Sequence, residues 1–144
     1  MTKEITLQHG LDKFHKKNLK YFSDRPTTEK GKEFLLHHDV AHVIFGCDTS
    51  IYGEGVVKIW TTFGTTLGFW KMISEYNEAN AFELFRMYSF RHVANNIFRF
   101  LIKIPLTIVR ARQMSKPWPW SNYKPYLNNP ISEIRKEFNI EVIV

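Results

Sequence analysis

The chain has 144 residues, a net charge of +6, 44% hydrophobic and 24% charged residues. That balance suits one globular domain with a real core and excludes a disordered or low-complexity chain. A single cysteine, Cys47, excludes an internal disulfide and fits a reducing compartment, and no run of about eighteen apolar residues is present to span a membrane.

In chain order, the opening MTKEITLQHGLDKFHKKNLKYF has no uninterrupted apolar stretch, so it is not read as a secretory signal. Residues 11–22 within it read as a short basic helix anchored by Leu11, Phe14 and Leu19. SDRPTT breaks the pattern, and a helix is expected from Thr28 to Phe45, with Gly46 as the residue that ends it. CDTSIYG is a loop. A second long helix is expected from Gly53 to Tyr76, with Gly64 and Gly68 spaced for close helix contact. A third runs from Glu78 to Ile104, where Pro105 kinks or ends it, and LTIVRARQM follows as a further helical piece. KPWPWSNYKPYLNNP is a proline-rich loop. The last helix, within NPISEIRKEF, has Asn129 as N-cap and Pro130 at its first position. The tail NIEVIV is a short strand or an extended end. The expected architecture is all-α: a single-domain helical bundle, with residues 1–25 as a basic N-terminal segment and 26–140 as the core.

The segment HHDVAHVIFGCDTSIYGE, residues 37–54, carries the chemistry. His38 and His42 are four apart and share one helix face, one turn apart. Imidazoles so placed can grip one transition-metal ion. Asp39 points about 100° from His38 and nearer to His42. Glu54, beyond the loop, returns alongside His42 if the two helices fold back on each other. Two nitrogens and two oxygens suit Zn²⁺, Fe²⁺, Co²⁺ or Mn²⁺. Against this stands the plainer reading of a chance histidine pair and a glutamate complementing a helix N-terminus. His37 is expected to face solvent. A zincin needs Glu where Asp39 stands, and an HD-type phosphohydrolase needs a later Asp, which is lacking after Asp48.

The pattern H-D-x-x-H, eleven residues, then E, made by His38, Asp39, His42 and Glu54, resembles the signature of the Coq4 family of ubiquinone-biosynthesis proteins. YGEGVVKIW at 52–60 is similar to that family's G-E-x-V-V-K-W stretch, and PISEIRKEFNI at 130–140 to its closing segment, with Asn139 where the family usually has Gly. The resemblance implies one divalent metal, zinc in the first instance, held by His38, Asp39, His42 and Glu54, with catalysis through that ion. It implies metal-dependent oxidative decarboxylation of a polyprenylated aromatic acid at a membrane surface. Its alternative is a non-catalytic isoprenoid-binding scaffold for other quinone-biosynthesis proteins, with a structural metal. No flavin or nicotinamide fingerprint is present, so an oxidant would be dioxygen or come from a partner.

From Leu84 to Ser132 there is no Asp or Glu, while Arg and Lys recur among apolar residues. Such a stretch suits anionic lipid. Arg110, Arg112, Trp118 and Trp120 are the expected membrane-facing residues. The opposing reading makes the aromatics core and the arginines a solvated face. The expectation is a protein peripheral on the inner face of the cytoplasmic membrane, or the mitochondrial inner membrane in a eukaryote, and able to form a homodimer. No helix-turn-helix, RRM or zinc-finger pattern occurs, so nucleic acid is not an expected partner.

Overall fold

A computed structural model describes residues 4–19, 28–78 and 90–143. It is mostly helical, with six α-helices and no strand among the described residues. They are α1 (Leu7–Lys17), α2 (Glu29–Phe45), α3 (Ile51–Gly64), α4 (Phe69–Glu78), α5 (Phe90–Arg112) and α6 (Ile131–Phe138). A 3₁₀ turn at Lys124–Tyr126 precedes α6.

The chain ends its helices by side chain and by glycine. Thr28 accepts from the Gly31 amide to start α2, and Ser50 accepts from the Gly53 amide to start α3. Gly46 closes α2 with φ +68, a backbone conformation that a Cβ penalises. A side chain there would also strike Val142, whose Cγ1 lies 2.6 Å from the Cβ position. The loop from 46 to 50 is therefore tight, and it folds α3 back against α2.

α2 sits at the centre. From Phe34 onward nearly every residue is buried, histidines and aspartate included. Phe45 stacks on Trp60 at 4.6 Å and 8°, joining α2 to α3. α1 packs on α2, and α3 packs on α5, where Gly64 lies against Ala111 and Met114. Arg135 of α6 donates to the carbonyls of Ile44 (2.8 Å) and Val43 (3.0 Å), satisfying the C-terminal end of α2.

Several expectations change. α1 starts at Leu7, capped by Thr6, and buries Leu7 and Leu11, whereas Leu19 is exposed. α1, within the N-terminal segment, thus contributes to the core. The expected 53–76 helix is broken at 65–68, where Gly68 takes φ +78. Gly64 makes the close helix contact; Gly68 turns the chain and has open space beside it. The first part of the expected third helix lies outside the described residues. Its remainder runs unbroken through Pro105 to Arg112, because the proline is on the exposed side, where a lost amide donor costs least. α6 begins one residue later than expected, with Pro130 at the cap. Residues 140–143 form no regular element, and Ile140 and Ile143 are buried. Asn139 has φ +53, the left-handed conformation that Gly and Asn share.

Candidate metal centre

His38 and His42 face α3 from successive turns of α2, and Glu54 comes from the first turn of α3. The imidazole Nε2 atoms lie 3.2 Å apart. Glu54 divides its carboxylate between them, with Oε2 at 3.3 Å from His38 Nε2 and Oε1 at 3.1 Å from His42 Nε2. All three residues are buried, at 2%, 1% and 5% exposure. The three residues thus bring four donor atoms together, two imidazole nitrogens and both carboxylate oxygens, with neighbouring contacts of 3.1–3.3 Å. A tetrahedral ion with bonds of ~2.0–2.1 Å sets its ligands about 3.3 Å apart, so the spacing fits a divalent cation.

Protonation strengthens the case. The Cys47 carbonyl can only accept, so His42 Nδ1, 3.1 Å away, carries a proton and donates to it. A neutral His42 then turns an Nε2 lone pair toward the Glu54 carboxylate and toward His38. That arrangement is repulsive unless a cation, proton or metal, lies among the three. Burial alone would raise the Glu54 carboxyl; with a proton among the three groups, the pull of His38 and His42 outweighs burial and holds the carboxyl far below the usual carboxylate range. Burial pushes His38 below the ordinary histidine value, against the pull of Glu54. A buried anion beside a His38 imidazole that burial biases towards neutrality is the protonation pattern a metal requires.

Asp39 is placed differently from the expectation. It is buried, but it does not belong to the cluster; its Oδ2 lies 3.1 Å from Nε2 of His15 in α1. One helical step turns it away from the cluster and toward the neighbouring helix. Beside it, Phe14 stacks on His42 at 5.1 Å and 26°, so α1 covers this side of the site. His15 was not marked by the sequence, because the contact joins positions 24 apart. Lys58, one turn after Glu54, was also missed, though its i+4 spacing was readable. Its ammonium is pushed down to about 8 by burial, with Glu54 opposing the shift.

His37 does not face solvent. It packs edge-on against Trp120 (5.9 Å) and Tyr123 (5.5 Å), and burial lowers its pKa. It borders a cleft of about 310 Å³ shared with Lys30, Glu33, Phe34, Lys71 and Trp120. Phe34 is the wall between cleft and ligands, stacked on His38 at 6.2 Å and 12° and touching Trp120 at 5.4 Å.

The four expected membrane-facing residues separate. Trp118 and Trp120 are core, 0% and 4% exposed. Trp118 packs on Tyr126 and Phe138, because the Gly64 carbonyl accepts its amide and pulls the loop inward at 2.8 Å. Neither can anchor in a bilayer. Arg110 is paired with Glu141, and only Arg112 stands exposed without such a bond among the described residues. No described helix is long and apolar enough to cross a membrane.

No family model, curated protein or solved structure matches the chain. What is shown is a mostly helical protein whose buried His38, His42 and Glu54 could hold a metal ion.

Proposed function

We propose that this is a Coq4-like protein in which His38, His42 and Glu54 hold one divalent ion, zinc in the first instance, and that it removes the carboxyl group of a polyprenylated aromatic acid at a membrane surface. The observation that carries the reading is the buried His38, His42 and Glu54 cluster, made by a motif that resembles the family's signature. Two histidines and one carboxylate leave coordination positions for a substrate oxygen, the ligand class of catalytic zinc and of non-haem iron. A bound ion supplies Lewis acidity, stabilising charge that develops on the departing carboxyl.

The chain's own residues then have definite tasks. Glu54 and the two imidazoles fix the ion, and the Cys47 carbonyl fixes the His42 tautomer. In the oxidative form, which would need a redox-active ion such as Fe²⁺ rather than zinc, one oxygen atom of O₂ enters the ring as hydroxyl and the carboxyl leaves as CO₂. The other oxygen leaves as water, taking two electrons and two protons from a reductant.

A second reading has its own support. All three ligands are almost fully buried, which suits a structural ion in a lipid-binding scaffold that organises other quinone-biosynthesis proteins. Glu54→Gln distinguishes the two. If the prenylated acid accumulates in cells carrying the variant while the protein stays folded, the scaffold reading fails. If metal is lost but the acid is still consumed, catalysis at this ion is wrong. Protein purified without chelators that contains no divalent metal would remove both.

A further inference from the structure

We infer that the outer face of α5 is the surface on which this protein docks to an anionic phospholipid bilayer. Ile97, Phe98, Leu101, Ile102, Leu106 and Val109 are all exposed, Phe98 at 72% and Leu101 at 66%. At 100° per residue they occupy about half of the helix circumference. The other side holds Thr107 and Ala111, which are buried. An apolar face of this extent on a soluble helix marks an interaction site.

Charge selects the occupant. Arg91 and Arg112 are exposed, and each lies within about 40° of the stripe's centre line, one at either end. Arg99 flanks it, also exposed. No acid occurs between Leu84 and Ser132. A second copy would pair this face by a two-fold axis. An antiparallel pairing of the helices sets Arg91 against Arg112, and a parallel one sets each arginine against itself. Both oppose like charges with no carboxylate between. Lipid phosphates answer those arginines, and acyl chains take the apolar groups, as for an amphipathic helix lying in the interface plane. The docked helix lies next to the metal-bearing one: Arg99 sits over the Tyr52 ring at 5.8 Å, and Tyr52 is two residues before Glu54. The inference deepens the membrane-surface part of the proposed function and does not depend on the metal chemistry.

Co-sedimentation with vesicles tests it. Wild type is expected to bind phosphatidylglycerol-containing vesicles and to bind pure phosphatidylcholine at least ~10-fold more weakly. The pair Phe98→Ser with Ile102→Ser should lose at least ~10-fold in binding, with helicity and metal content unchanged. Arg91→Gln with Arg112→Gln should weaken binding and flatten its salt dependence, which keeps the test sound should the serine pair fail to fold. Failure of wild type to bind anionic vesicles overturns the inference. So does unchanged binding by the serine pair, or a solution dimer that the serine pair dissociates. Protein purified without chelators that binds vesicles through this face yet contains no divalent metal would overturn the proposed function alone.

Discussion

His42 donates from Nδ1 to the carbonyl of Cys47, and Cys47 in turn donates its amide to the carbonyl of His42. This reciprocal pair makes the turn that ends α2 also the device that orients a candidate metal ligand. Loading the site should therefore stiffen the hinge between α2 and α3.

Metal binding is expected to appear as stability. An ion at one hundred times its dissociation constant adds about 2.7 kcal/mol to a protein that binds it only when folded. Zinc should raise the melting temperature of chelator-treated protein, and Glu54→Gln should abolish most of the rise. Calorimetry with and without zinc checks this; equal shifts in wild type and variant would remove Glu54 from the ligand set.

Arg135→Ala removes two hydrogen bonds from buried carbonyls of α2. Bonds from a charged donor are worth ~1.5–3 kcal/mol each at most, so a loss of about 2–3 kcal/mol is expected in denaturant unfolding. Arg135→Lys, with one compact ammonium, should recover less than half.

Gly46→Ala meets two separate penalties. The left-handed backbone costs a Cβ about 1–2 kcal/mol, and the Val142 contact adds to it. Combining it with Val142→Ala should relieve the contact and leave the backbone cost, so the double variant should be more stable than the sum of the single changes implies.

Burial pushes the Cys47 thiol up to about 12, with Asp48 and Glu54 adding to the effect. The native protein should resist alkylation at pH 8 and react only on unfolding. The folded thiol keeps its proton to higher pH than the unfolded one. Its contribution to stability is therefore whole below pH 9 and fades as pH rises toward 12. The stability difference between wild type and Cys47→Ala should shrink between pH 9 and 11; a constant difference would contradict the assignment.

The bounds of α2 and its two site residues, His38 and His42, were legible, because Thr28, Gly46 and the four-residue histidine spacing are local signals. Glu54 followed from the length of the loop. What the chain order hid was tertiary. Trp118 looked like an interfacial anchor until a hydrogen bond to Gly64 drew its loop inside. Asp39 looked like a ligand until His15 arrived from another helix. The exposed proline left α5 intact, and Gly68 divided what periodicity read as one helix.

The three donors lie at most sixteen positions apart, joined by a turn that the chain specifies locally. Closing so short a loop costs little chain entropy. A nascent polypeptide is thus expected to assemble its cation trap while α5 and α6 are still being synthesised, and stopped-flow refolding should run faster with zinc present from the start than with zinc added afterwards.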